Sequence, residues 1–225
     1  MSQTKTRRPV LVLGSVPYDT YVQLRDARKN RGLRMAYHDG VLEIMSPEYL
    51  HDAGVFHLSL IVVAYCKVFE IPGGGAGSTT FRKGVPGELK GRGKEPDASF
   101  YLGAEAVKAI QGKSFIELSV DPPPSLWIEV DNWGSSKARL PIYAALGVPE
   151  VWRFRRRKGI LRIGRLDENS GRYLEAESSF ALPGLTPAIV LDLLAQHTSA
   201  DDIGWSRWLE QVWFPAHRAE LTGGA

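Results

Sequence analysis

The chain has 225 residues, 44% hydrophobic and 24% charged, with a formal net charge of +3 and a sequence pI near 9.0. This is the composition of an ordinary soluble protein long enough to bury a substantial core, and no apolar run approaches the roughly 20 residues of a membrane span. A single cysteine, Cys66, excludes an intramolecular disulfide and a cysteine-based zinc site.

The start, Met1 to Pro9, is basic and polar and lacks the apolar stretch of a secretory signal, which predicts a cytoplasmic protein. Pro17 to Arg31 reads as an amphipathic helix ending at Gly32. Leu33 to Tyr37 and Val41 to Met45 read as strands, and Asp39-Gly40 between them is a hairpin signal. Ser46 can cap the next helix, with Pro47 at its first position and Glu48 in its first turn. Val55, Leu58, Ile61, Val62, Tyr65 and Phe69 keep helical spacing to its end. Cys66 lies in this apolar stretch and reads as a small buried hydrophobe.

Gly73 to Gly77 is Gly-rich, but a helix precedes it and no Lys-Ser/Thr pair follows into a helix, so it reads as a flexible turn rather than a phosphate cradle. Ser78 to Phe81 looks like strand, and Lys83 to Lys94 like an exposed basic loop. Ala104 to Gln111 is a short helix candidate, and Pro122-Pro123-Pro124 a rigid lead into the next strand. Ser135 or Ser136 can cap a helix with Pro141 in its first turns and an end at Gly147. Glu150 to Phe154 follows as strand, so strand, helix and strand predict a parallel crossover. The chain turns through Lys158-Gly159 into Ile160 to Leu166. Helices return at Pro187 to Gln196 and around Trp205, Trp208 and Trp213, the latter packed on the core or on a second subunit.

Two strand-like runs carry carboxylates. These are Glu95-Pro96-Asp97-Ala98-Ser99-Phe100-Tyr101 and Leu126-Trp127-Ile128-Glu129-Val130-Asp131. An apolar strand does not bury an unpaired carboxylate cheaply. Alternation puts Trp127, Glu129 and Asp131 on one face and Leu126, Ile128 and Val130 on the other. If the strands are neighbours, Asp97, Glu129 and Asp131 converge as oxygen ligands for a hard divalent cation such as Mg²⁺. The plainer alternatives are a local turn bond for Asp97 and a structural ion pair for Glu129 with Lys137 or Arg139.

An ordered set of residues then resembles a known family. Glu43 lies in the hairpin, Ser46-Pro47 precedes a helix with His51, Pro96-Asp97 and Glu129-Val130 follow, and a basic residue stands before Tyr143 ahead of Gly147-Val148-Pro149-Glu150-Val151-Trp152. Together they are similar to the PD-(D/E)xK restriction-endonuclease-like superfamily, and within it to a bacterial branch described as restriction endonucleases. The resemblance covers roughly Pro17 to Leu194. It implies an α/β (mixed α+β) fold with a mixed central sheet flanked by helices, a Mg²⁺ or Mn²⁺ cofactor, and hydrolysis of DNA phosphodiester bonds. It makes Asp97, Glu129 and Asp131 the metal ligands, with Glu43 and His51 as additional or supporting groups. Where the superfamily has its motif lysine this chain has Asp131, and Lys137 or Arg139 of the following helix takes the basic role. Arginine can stabilise phosphate charge but cannot act as a base.

The run Arg153, Arg155, Arg156, Arg157 and Lys158 reads as a solvated turn or as a grip on a nucleic-acid backbone. Since carboxylates repel phosphate, some of these arginines are expected on the side of the acidic site. The expected organisation is a basic tail over 1–16, the nuclease-like domain over 17–196 and a helical extension over 197–225. DNA is the expected partner and a homodimer the expected assembly. The alternative function is a non-catalytic DNA-binding or scaffold protein that keeps the nuclease fold.

Overall fold

The computed structural model describes residues 11–30, 33–45, 49–77, 79–85, 88–132, 135–199 and 201–223, apart from the side chains of Met45, Tyr49, Leu50 and His51. Gly32, Ser46, Pro47, Glu48 and Ser78, to which the sequence assigns a helix end, a cap and the start of a strand, lie outside these. So does the basic start from Met1 to Pro9.

Two sheets make up the framework. The smaller contains β1 (Leu11–Leu13), β2 (Arg34–His38), β3 (Val41–Met45), β5 (Phe81–Gly84) and β6 (Gly91–Lys94). Its order is β1-β3-β2-β6-β5, with every pairing antiparallel. The larger contains β4 (Gly73–Gly75), β7 (Ala98–Leu102), β8 (Leu126–Val130), β9 (Glu150–Arg155), β10 (Ile160–Asp167) and β11 (Arg172–Ala176), in the order β11-β10-β9-β8-β7-β4. It is a mixed sheet: β8 and β9 run parallel, the others antiparallel. The chain passes from one sheet to the other through Glu95, Pro96 and Asp97, between β6 and β7.

The β2–β3 hairpin forms as its sequence dictates, with Asp39 (φ 44°) and Gly40 (φ 87°) both left-handed at the turn. Helix α1 (Tyr18–Asp26) is shorter than the pattern predicts and gives way to a 3₁₀ turn at Arg28–Asn30. Tyr18 and Tyr21 of α1 bury themselves against Met35, Tyr37 and Leu42 of the smaller sheet, with Tyr21 and Tyr37 stacked at 5.0 Å.

Helix α2 (Tyr49–Val68) lays Leu58, Ile61, Val62 and Tyr65 on the face of the larger sheet formed by Leu126, Ile128, Val130, Trp152 and Phe154. The same layer holds α5 (Pro187–Gln196), α6 (Asp202–Trp208), the π-helical turn Leu209–Trp213, α7 (Phe214–Ala216) and α8 (Arg218–Leu221). The C-terminal aromatics therefore serve this chain's own core, with Trp205 and Phe214 buried. Burial also pushes the Cys66 thiol up to about 11, as its apolar setting predicts.

The opposite face of the larger sheet is covered by α4 (Leu140–Ala145), whose Ile142 and Tyr143 pack on Trp127 and Val151. A 3₁₀ turn at Ser136–Arg139 leads into α4, and the Ser135 hydroxyl accepts from Lys137 N at 3.2 Å. The β8–α4–β9 unit is the expected parallel crossover. Helix α3 (Ala104–Ile110) packs beside β4 and β7. Among the described residues no helix is long and apolar enough to cross a membrane.

Two segments differ from the reading of the sequence. Gly73–Gly75 is a strand, β4, paired with Phe100–Leu102; its glycines still meet the ladder's only requirement, a free N–H and C=O. The basic loop expected over Lys83 to Lys94 is largely the β5–β6 hairpin. Its glycines have a packing cause: the Tyr18 ring covers Gly84 and Gly91, and the Tyr21 ring covers Gly93, so closely that a Cβ would overlap them.

Candidate active site

Asp97 is held at the junction of the two sheets. Pro96 fixes the backbone ahead of it, and one step on, Ala98 pairs with Ile128. Continuing that antiparallel register places Asp97 opposite Glu129, on the face of Trp127 and away from α2. One Asp97 oxygen accepts the Val130 N–H at 2.7 Å, and the other accepts from the Arg34 guanidinium at the start of β2. Asp97 is thus joined to both sheets.

Glu129 is buried with a side-chain exposure of 4%, and Lys94 Nζ stands 3.2 Å from its Oε1. Lys94 is the last residue of β6, is equally buried and donates to the Glu95 carbonyl. Burial holds the Glu129 carboxyl above the ordinary range; Lys94 and Arg139 pull it down, while Asp97 and Asp131 push it up. Its Oε1 is ion-paired yet accepts no well-formed hydrogen bond, and the Tyr143 phenol lies against the same carboxylate. Burial, then the charge of Glu129, raise the Tyr143 phenol well above its ordinary value. Lys94 Nζ lies 6.0 Å from the centre of the Tyr143 ring.

Arg139, from the turn before α4, reaches across to the smaller sheet. Its Nε and Nη2 donate to Glu43 Oε2 at 3.1 and 3.0 Å, and its charge acts on Glu129 and Tyr143. Lys137, on the same turn, is exposed. Asp131 takes a different course from Asp97 and Glu129. Both of its oxygens accept Ser136 N at 2.9 Å, and one accepts the Ser136 hydroxyl at 3.0 Å, so it braces the turn into α4. It does not join Asp97 and Glu129 in a three-ligand group among the described residues. His51 lies in the first turn of α2, and its side chain is outside the described residues.

The arginines of the β9–β10 hairpin divide between the faces. Arg153 is in register with Glu129 on one side and Arg162 on the other, so both share the face of the carboxylates, and alternation adds Arg155. Arg156 turns the other way, against Gly54 and close enough to His57 to act on its charge. Arg157 and Lys158 are exposed at the tip.

Sequence reasoning missed Lys94 and Arg34. Lys94 was hidden in a Gly-rich run that looked like a loop, although glycine at every second position, Gly91 and Gly93, is also the mark of a strand with one face pressed under side chains. Glu150 has no part in the site. It accepts from Trp152 Nε1 (2.7 Å), the Ser179 hydroxyl (2.6 Å) and the Phe180 and Ala181 N–H groups (2.6 and 3.2 Å), so it is a satisfied structural carboxylate.

Asp97 and Glu129 offer oxygen donors of the kind that suit Mg²⁺ or Mn²⁺, and Glu129 Oε1 carries only the Lys94 ion pair and no well-formed hydrogen bond. Three cations surround them, Arg34 on Asp97, Lys94 on Glu129 and Arg139 on Glu43.

Among solved structures the chain is similar to one titled as a "putative nuclease belonging to DUF820" from Anabaena variabilis, with 14% identity and a TM-score of 0.48, covering 85% of this chain and 99% of that one. No curated protein matches the sequence. Residues 18–197 match the Uma2 family, described as "Putative restriction endonuclease", and since the match takes in most of the chain, the protein belongs to that family.

Proposed function

We propose that the protein is a divalent-metal-dependent endonuclease acting on DNA. The observation that carries this reading is the meeting of Asp97, Glu129 and Lys94 on one sheet face, where Lys94 stands beside Glu129 in place of the motif lysine that Asp131 displaces. Asp97 and Glu129 would hold the cation, which when bound supplies Lewis-acid polarisation of a phosphoryl oxygen and a more acidic water. Lys94 draws the Glu129 carboxyl, raised by burial, back down and would face a phosphate with an ammonium group. Arg139, held by Glu43, contributes a fixed guanidinium that offsets charge as it builds on the phosphate. Arg153, Arg155 and Arg162, on the same face, offset the repulsion between carboxylates and DNA backbone. A homodimer with two-fold symmetry would present two such sites, one to each strand of a duplex. Bacterial DNA is cytoplasmic, and that is the compartment this reading implies.

One observation favours the non-catalytic alternative, a DNA-binding protein on a nuclease fold: the Arg34 guanidinium already occupies Asp97. Plasmid cleavage separates the two. With Mg²⁺ or Mn²⁺ the wild type should nick or linearise supercoiled DNA, while Asp97→Asn and chelation should each abolish cutting. Binding without cutting in either metal would establish the alternative.

A further inference from the structure

On the other face of the larger sheet, α2, the end of α5 and the start of α6 bring His57, His197 and Asp202 together. His57 Nε2 and His197 Nε2 lie 2.9 and 2.8 Å from the same oxygen, Asp202 Oδ1. The three ligand atoms are all within 4.8 Å of one another. The rings are 4.2 Å apart, and the buried Trp205 walls them edge-on at 5.8 and 5.0 Å. Next to them, Asp201 spends its side chain capping Gly204 N at 2.8 Å, which leaves Asp202 to face the histidines.

His197 Nε2 is buried without a well-formed hydrogen bond, although it stands 2.8 Å from Asp202 Oδ1. Both histidines are largely buried, with side chains 18% and 12% exposed. A metal ion among the three atoms would accept both nitrogen lone pairs and the carboxylate together. Two imidazoles and one carboxylate suit a d-block ion rather than Mg²⁺. Tetrahedral zinc with bonds of about 2.0–2.1 Å sets its ligands roughly 3.3 Å apart, so the site needs to open by about half an ångström. A surface cleft of about 320 Å³ opens beside His197 and Trp205.

We infer that His57, His197 and Asp202 form a second metal site, for Zn²⁺ or a similar d-block divalent ion, separate from the Asp97–Glu129 centre. Its three ligands come from α2, the C-terminal cap of α5 and the first turn of α6. Asp202 lies beyond the stretch that matches the family, so the ion clamps the C-terminal helices to the domain.

The test uses tag-free, full-length protein stripped with chelator, then loaded with Zn²⁺ and dialysed, with metal counted by mass spectrometry. Co²⁺ loading adds a spectroscopic readout of the ligand geometry. The wild type should retain one zinc per chain and melt at a higher temperature with zinc than without. His197→Gln and Asp202→Asn, checked for folding by circular dichroism, should each lose the zinc, the thermal shift and the tetrahedral Co²⁺ bands. Asp97→Asn/Glu129→Gln should keep all three. Absence of retained zinc in the wild type, or equal retention by the His197 and Asp202 variants, would overturn the inference. So would loss of zinc in the Asp97/Glu129 variant alone.

Discussion

Lys94 and Glu129 form a buried ion pair, Nζ to Oε1 at 3.2 Å. Removing one leaves the other charge stranded, which in buried pairs costs about 3–5 kcal/mol. Lys94→Met should therefore destabilise the protein by about that amount in urea unfolding at neutral pH, and Lys94→Met/Glu129→Gln should cost clearly less than the sum of the two single changes. Additive costs would show that the pair is not coupled. The pH dependence follows from the raised Glu129 carboxyl. A carboxyl whose folded pKa lies above its unfolded value contributes most at low pH and loses that contribution as pH rises through the folded pKa. In Lys94→Met, with the compensating cation gone, the cost should grow with pH above the ordinary carboxylate range and shrink below it. Of the individual residues, Asp97 and Glu129 were legible in the sequence because a carboxylate set in an apolar strand needs a cause. Lys94 was not, because nothing local shows that β6 ends against β8.

At the level of elements, most of what could be read was local. The Asp39-Gly40 hairpin, α2, the β8–α4–β9 crossover and α5 all follow from turn chemistry and periodicity. The β5–β6 hairpin escaped because its stability comes from long-range packing of Tyr18 and Tyr21 onto glycines, and composition alone gives such a run the appearance of a loop. Gly93→Ala makes this measurable. The added Cβ would overlap the fully buried Tyr21 ring, and overpacking of this kind typically costs about 1–3 kcal/mol. Since β6 delivers Lys94, the change should also reduce activity. A variant as stable as wild type would mean that Tyr21 moves aside freely. Glu150 carries a related lesson: a carboxylate inside the Gly147-Val148-Pro149-Glu150-Val151-Trp152 motif turns out to bind backbone and indole donors, so a residue can mark a family through structure alone.

At the scale of the molecule, the larger sheet separates two chemistries, carboxylates with arginines on one face and the histidine cluster with the C-terminal helices on the other. This division sharpens what the basic hairpin should do. Arg153→Ala/Arg155→Ala should weaken DNA binding regardless of sequence and flatten its salt dependence by about 0.9 units of slope per lost phosphate contact. Arg156→Ala, directed toward α2, should leave the slope unchanged. Fluorescence anisotropy across a salt series reads both, and the reverse pattern would place the DNA on the α2 face. The central claim is that Asp97, Glu129 and Lys94 form one catalytic centre. Single-turnover cleavage of a labelled duplex by wild type and Lys94→Met, with binding measured on the same samples, tests it most directly. Metal-dependent cleavage is expected of the wild type, and in the variant a fall of about 10²–10⁴-fold with binding kept within a few-fold. Cleavage by a folded Lys94→Met at the wild-type rate would contradict it.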